Sequence, residues 1–404
     1  MKPALTLEEA QTRVLALAQP MQSEDVPLAQ AVGRYLSENI ASRRTQPSAD
    51  LSAMDGYAIG TERPENDQWQ LVGESRAGTP WGQTLNAGET IRISTGAHVP
   101  EGADRILIQE NADVNGKEVA LTSDYPTALR HVRLRGFDFA KGDALIEAGT
   151  RLNAAHIALA ASAGQSTLPI VRAPHIAILD SGDELVADPA SAAEHELPAS
   201  NGIMLEAMVR PLGCTVSRLG PVGDDAGALA AALDGAEDAD ILITTGGASV
   251  GDHDLMQPAL KAWGAEMDFW RVAMKPGKPI MLATRLNTVG RTQVIFGLPG
   301  NPVSAYVTAF HFALPVIRAS MGAMRPGNAA LNLPAGTALP AIGPRREFMR
   351  AYWDGVSVSP VGSQDSSALA ALSHANCLID RPARSSEAAA GDIVPVYLLG
   401  DGHA

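Results

Sequence analysis

Cysteine is nearly absent from this 404-residue chain, which holds only Cys214 and Cys377. Two cysteines make no disulfide framework, and no Cys-x-x-Cys or Cys/His spacing points to zinc. Basic charge is in deficit too: 31 Lys and Arg against 45 Asp and Glu leave a net charge of −14. That argues against nucleic acid or a membrane surface as the main partner, but leaves room for a small anionic ligand where cations cluster. No apolar run approaches the ~20 residues of a membrane span. The first ten residues carry Glu8 and Glu9 instead of a basic-then-apolar leader, so a cytoplasmic location is expected. What is present is the 46% hydrophobic content of a globular protein, at a length that suits two to four domains.

The texture changes along the chain. Leu5 to Ala18 has helical apolar spacing (Leu7, Ala10, Val14, Leu17), with Thr6 and Glu9 placed as a capping box. From Val26 to Gly149 short β-prone runs, such as Trp69–Val72, Thr90–Ile93, Arg105–Gln109 and Val119–Thr122, alternate with Gly, Pro and Asp. Asn153 to Ala163 reads as a helix with Asn153 as its N-cap and Gly164 as its stop. Between Pro174 and Ser320, strands and helices alternate: His175–Leu179, Ile203–Leu212, Thr215–Leu219, Asp225–Leu233, Ile241–Thr244, Leu255–Trp263. Strands at Ile280–Ala283 and Thr292–Phe296 then precede a long helix from Pro302. This spacing predicts a parallel sheet with helices on both faces and ligands at the carboxyl ends of its strands. After Pro326 the pattern returns to short strands, and residues 187–196 read as a surface loop.

Gly and acidic residues fall at those strand ends. The run from Thr244 through Gly246, Gly247, Ser249 and Asp252 to Asp254 joins a strand to a helix. Its glycines allow close approach to an anion at a helix N-terminus, and its carboxylates make sense where a hard cation such as Mg2+ bridges to phosphate. A capped strand–helix turn explains the same residues about equally well. Asp180–Ser181–Gly182–Asp183–Glu184 occupies the equivalent place after an earlier strand, where a solvated loop is the competing explanation. Lys275–Pro276–Gly277–Lys278 sets two ammonium groups, with Arg271 nearby, on a stiff frame suited to an anion. Pro299–Gly300–Asn301–Pro302 is a rigid turn opening a helix. Met54–Asp55–Gly56, Thr95–Gly96 and Arg133 to Asp138 are turn-like, and none carries a functional claim alone. No Ser–His–Asp constellation is evident.

Together these runs resemble the MoeA family of molybdopterin molybdenumtransferases, which includes the gephyrin E-domain type. The carriers are Ser–Ala–Met–Asp–Gly–Tyr–Ala around Asp55, the Thr–Gly run from Thr95, Arg–x–x–Gly–x–Asp ending at Asp138, and Ser–Gly–Asp–Glu–Leu at Glu184. Gly–Gly–x–Ser–Val–Gly–Asp from Gly246, Lys–Pro–Gly–Lys–Pro from Lys275, Gly–Leu–Pro–Gly–Asn–Pro around Pro299, Phe348–Met349–Arg350, and Ser366 with Ala375–Asn376–Cys377 follow in order. The resemblance implies an elongated, multidomain α/β plus β-rich fold. Residues 1–45 and 139–168 would form an elongated N-terminal or linker domain and 46–138 a β-rich domain; 169–325 would be the central parallel-sheet α/β domain of molybdopterin-binding type, and 326–404 a small, β-barrel-like C-terminal domain.

The resemblance further implies a homodimer whose cleft lies between the α/β domain of one subunit and the β-rich segment of the other. The implied reaction inserts molybdenum, from molybdate, into adenylylated molybdopterin, giving molybdenum cofactor and AMP with Mg2+. Asp55, Asp138, Glu184, Asp224, Asp254 and Lys275 are the expected catalytic residues, with Glu184, Asp224 and Asp254 as candidate Mg2+ ligands. Substrate binding is expected of Thr95, Arg133, Gly246, Gly247, Ser249, Arg271, Lys278, Pro299, Pro302, Arg350 and Ser366. Asp225 reads equally well as a helix N-cap. Phe137 stands where many members carry Glu, and Arg271 where Lys is common, which keeps charge but changes geometry. Cleaving the anhydride by in-line displacement needs positioning and charge neutralisation more than a covalent nucleophile. The competing functions are a molybdopterin adenylyltransferase, which is also a possible partner, and a non-catalytic scaffold of the same fold.

Overall fold

The computed structural model describes residues 4–246 and 255–400. The first helix, Leu7–Leu15, is closed by the expected box: Thr6 accepts the Glu9 N–H at 3.2 Å and Glu9 accepts the Thr6 N–H at 2.9 Å. Its apolar side (Leu7, Ala10, Val14) is buried in the core of the α/β domain. Placing residues 1–45 in one linker unit therefore does not describe this helix; Leu5 also bridges to Val272. The rest of that segment pairs with residues beyond 139. Ser23–Pro27 runs antiparallel to Thr167–Val171, and Ile40–Ala41 to Ala144–Ile146. The helix Ala154–Ser162 packs beside them, with Asn153 accepting the His156 N–H at 3.0 Å and Gly164 turning out at φ +87°.

Residues 46–138 hold a six-stranded mixed sheet with an apolar cluster on each side, one around Ile91, Ile93 and Ile106, the other around Tyr57, Trp69 and Leu107. Six strands form the α/β domain: β1 (His175–Ser181), β2 (Thr215–Val222), β3 (Ile241–Thr245), β4 (Glu266–Arg271), β5 (Pro279–Leu286) and β6 (Thr292–Leu298). Their order is β2-β1-β3-β6-β5-β4. Side chains alternate between faces along a strand, and here both faces are apolar. Ile176, Ile178, Ile241, Ile243 and Phe296 enter one core, while Ala177, Leu179, Leu242 and Ile295 enter the other.

The expected parallel sheet spans β2, β1, β3 and β6, whereas β5 and β4 extend it antiparallel. The reason is connection length. Only residues 272–278 and 287–291 join β4 to β5 and β5 to β6, too few for a parallel crossover.

The long helix from Pro302 runs to Ser320 through a π-helical segment, Ala309–Ala313. Pro315 explains it: lacking an N–H and clashing with the carbonyl four residues back, it disrupts the α-helical ladder. The Leu314 N–H instead reaches the Ala309 carbonyl, and the His311 carbonyl accepts Gln11 Nε2 from the first helix at 3.3 Å. His311 itself is fully buried against Phe310, Phe348 and Tyr397, which joins this helix to the C-terminal domain. Burial pushes its imidazole down to about 3 and keeps it neutral.

In the C-terminal domain, Leu331–Pro334 pairs with Ile393–Leu398, that strand with Cys377–Arg381, then Arg346–Trp353, then Val358–Pro360. An Ala335–Val358 bridge returns to the start, so the sheet closes on itself as the barrel-like expectation requires. Met274–Lys275, from the α/β segment, adds a parallel strand beside Arg346 and Glu347. No helix among the described residues is long and apolar enough to cross a membrane.

Candidate functional site

After β1 the chain adds β2 on one side and then β3 on the other, so the connections diverge between β1 and β3. In an open α/β sheet this switch point leaves a crevice outside the carboxyl ends of the strands. A cavity of about 790 Å³ lies there, lined from the ends of β1, β3 and β6 and from the segments around Leu197–Asn201 and Ser367–Leu369. Asp180 and Thr245 are register partners across β1 and β3. The Thr245 hydroxyl donates to Asp180 Oδ1 at 2.7 Å and Arg218 donates to Oδ2 at 3.1 Å, with Asp180 only 1% exposed. The carboxylate lies against Gly202, where a Cβ would stand 2.1 Å from Oδ2. Gly246 takes φ +85°, and a Cβ there would meet the Ser181 carbonyl at 2.3 Å. Both glycines are dictated by close approach to the strand end, Gly202 from the helix Ser200–Val209 and Gly246 from the loop after β3.

The other wall is the rigid turn. Asn201 Nδ2 donates to the Gly300 carbonyl at 2.7 Å, and Asn301 Nδ2 to Ser366 Oγ at 2.9 Å. Pro299, Pro302 and Ser367 line the cavity beside them. Glu184 lines it with its side chain exposed, while its carbonyl is pinned by the Leu197 N–H at 2.7 Å. Asp224 is exposed and tied back to β1: its Oδ1 accepts the Ser181 hydroxyl at 3.1 Å and its N–H donates to Asp183 Oδ1 at 2.8 Å. Asp225 is the N-cap of the following helix, accepting the Ala228 N–H at 2.9 Å. Among the described residues, no three His, Cys, Asp or Glu side chains cluster as a metal-binding group. Gly247, Ser249, Asp252 and Asp254 lie outside the described residues.

The cations fall on the segment joining β4 to β5. Lys275 Nζ lies 2.8 Å from Glu347 Oε1, Lys278 is exposed, and the Arg271 carbonyl receives the Leu5 N–H at 2.8 Å. Arg350, expected at the substrate, is instead 1% exposed. It donates to the carbonyls of Ser363 at 2.8 Å and Asp365 at 2.9 Å, and burial lowers its pKa. In this structure it braces the loop that carries Ser366; two apolar neighbours, Phe348 and Met349, gave no sign of so buried a guanidinium.

A second group of expected site residues sits apart. In the β-rich domain Asp55 Oδ1 accepts both the Thr95 N–H at 2.6 Å and the Thr95 hydroxyl at 3.0 Å, which hold its carboxyl below the usual range. Arg133 and Asp138 are exposed in the neighbouring strand and turn, with the Asp138 N–H on the Gln46 carbonyl at 3.0 Å. No residue of 46–138 lines the switch-point cavity. The structure thus gathers Glu184, Gly246, Pro299, Pro302 and Ser366, and leaves Asp55, Thr95, Arg133 and Asp138 on another surface. Sequence reasoning quoted Asp180 and Asn301 within their runs without giving either a role, and missed Asn201 and Glu347. Asp180 was visible in principle, as the polar residue closing an apolar strand.

A switch-point cavity with glycine-shaped loops and a carboxylate at its mouth defines a small-molecule-binding α/β protein carried between β-rich domains. Family models agree: residues 5–164 match the MoeA N-terminal region (domain I and II), 177–319 a probable molybdopterin binding domain, and 332–399 the MoeA C-terminal region (domain IV). A molybdopterin molybdenumtransferase of Haemophilus influenzae is 32% identical over 415 residues, spanning 98% of this chain and 100% of that protein. The Bacillus subtilis molybdopterin molybdenumtransferase is 30% identical, over 98% and 94%. A crystal structure of the molybdopterin biosynthesis MoeA protein of Pyrococcus horikoshii shares the fold, with a TM-score of 0.84 at 23% identity, over 98% of this chain and 100% of that one. The chain belongs to the MoeA family of molybdopterin molybdenumtransferases.

Proposed function

We propose that this transferase inserts molybdenum, taken from molybdate, into adenylylated molybdopterin and releases AMP. The observation that carries the reading is the cavity of about 790 Å³ at the switch point, of a size for a pterin-bearing ligand. Gly246 lets the loop backbone approach the ligand, and Pro299 and Pro302 hold the facing wall rigid. Lys275, Lys278 and Arg271 neutralise phosphate and molybdate charge, while Glu184 faces the reacting groups from the mouth. The anhydride breaks as water adds at the pterin-side phosphorus and gives up a proton while the opposite bridging oxygen departs with AMP, a step that depends on alignment and charge neutralisation.

Glu184 and Asp224 are hard oxygen donors that suit Mg2+, which typically takes one or two carboxylates together with substrate phosphates. When bound, Mg2+ supplies positive charge at the pyrophosphate. The exposed Asp55 group, with Thr95, Arg133 and Asp138, completes the cleft from a second copy of the chain in a homodimer. A molybdopterin adenylyltransferase supplies the activated pterin, and the cytoplasm is the compartment.

The test supplies purified protein with adenylylated molybdopterin, Mg2+ and molybdate. AMP release that requires both metal species is expected. Efficient formation of adenylylated pterin from ATP and molybdopterin, or molybdoenzyme maturation that survives both Asp55→Ala and Glu184→Ala, would overturn the reading.

A further inference from the structure

Lys275 is held more firmly than a surface lysine. Its backbone lies in a two-residue strand parallel to Arg346–Trp353, with Lys275 in register with Glu347. Pro276 follows, then Gly277 at φ +97°, where a Cβ would stand 2.4 Å from Thr308 Oγ1; the loop is therefore pressed onto the helix from Pro302. The ammonium meets Glu347 Oε1 at 2.8 Å, with the lysine side chain 45% exposed and the glutamate 18%. The charge of Lys275 also reaches Asp365, whose carboxyl is held low first by the Ser367 hydroxyl and N–H and then by Arg350 and Lys275. Ser367 lines the switch-point cavity, as does Pro279, four residues on from Lys275.

We propose that Glu347 is a positioning residue that selects for tetrahedral dianions at Lys275. It aims the ammonium and cancels part of its charge, so an arriving anion must displace a carboxylate already in contact. A dianion such as molybdate gains enough from the exchange, and a monoanion such as chloride does not. The inference rests on the reading above that Lys275 meets an oxyanion. Glu347→Gln keeps an oxygen acceptor for Nζ and removes the competing charge; Glu347→Ala removes the aim as well.

The test measures AMP release from adenylylated molybdopterin with Mg2+ against molybdate concentration, for wild type, both Glu347 variants and Lys275→Ala, at low and high sodium chloride. For Glu347→Gln the half-saturating molybdate falls by about threefold or more at low salt, kcat stays near wild type, and chloride becomes a competitor. For Glu347→Ala half-saturation rises. Glu347→Gln matching wild type in half-saturation and chloride sensitivity, while Lys275→Ala is weakened, would overturn the role of Glu347. Lys275→Ala matching wild type would overturn the oxyanion reading itself.

Discussion

In the α/β domain a carboxylate at the cavity, Asp180, is 1% exposed, and Thr245, Arg218 and Gly202 close around it. In the β-rich domain Asp55 lies open to solvent, hydrogen-bonded to Thr95 and near the charge of Arg92. The first region is a preorganised pocket whose floor is part of the fold. The second is a set of charged side chains on a surface, with no residue in that pocket. Stability and chemistry are thus separated: disturbing the pocket floor should unfold as well as inactivate, whereas the Asp55 group should be removable at far less structural cost.

The largest effect tests whether the two regions meet between copies. Asp55→Ala and Glu184→Ala should each nearly abolish AMP release, and if the chain pairs as proposed, co-expressing the two variants should restore about a quarter of wild-type activity, since half of such dimers would be mixed and each would hold one intact site. No recovery on mixing would place both groups in a single chain's site. Next come two glycines with similar backbone angles. Gly246→Ala, meeting the Ser181 carbonyl at 2.3 Å, should lower kcat about 100-fold and also lower Tm. Gly96→Ala at φ +81° meets nothing within 4 Å and should cost only about 1 kcal/mol in urea unfolding.

A smaller contrast compares the two aspartates. Asp180→Ala leaves Arg218 without its partner at a mostly buried site and should cost about 2–4 kcal/mol by urea denaturation. Asp55→Ala, which loses only solvent-exposed hydrogen bonds to Thr95, should move the urea midpoint far less. The smallest effect is in pH. Thr95 lowers the Asp55 pKa, so the carboxylate persists above that lowered value, and whatever depends on it is lost only as pH falls through it. Thr95→Val removes the hydroxyl donor and leaves the N–H, so the acid limb of the rate profile should move to higher pH. An unmoved limb would assign that limb to another group.

Much of this architecture is legible in the chain. The Thr6–Glu9 box, the Asn153 cap, the Asp225 cap and the apolar runs within β1, β3 and β6 are local signals, because capping and burial on both faces act through neighbours in sequence. The order of Gly, Asp and Pro at the strand ends located the cavity. Less legible was the antiparallel edge of the sheet, although the short 272–278 and 287–291 connections carried the information. Arg350 could not be judged from its neighbours, since its burial depends on a loop thirteen and fifteen residues away closing over it.

The sequence by itself determined the domain succession, the capped helices, the strand ends that bear Gly and carboxylates, and the family. Tertiary structure alone decided that Asp180 is locked between Thr245 and Arg218, that Lys275 lies against Glu347 in a borrowed strand, and that the Asp55 and Glu184 groups sit on separate surfaces of one chain. The division has a physical cause. Caps, turns and apolar periodicity are settled over a few residues, whereas burial and ion pairing depend on which distant segments share a sheet and a register.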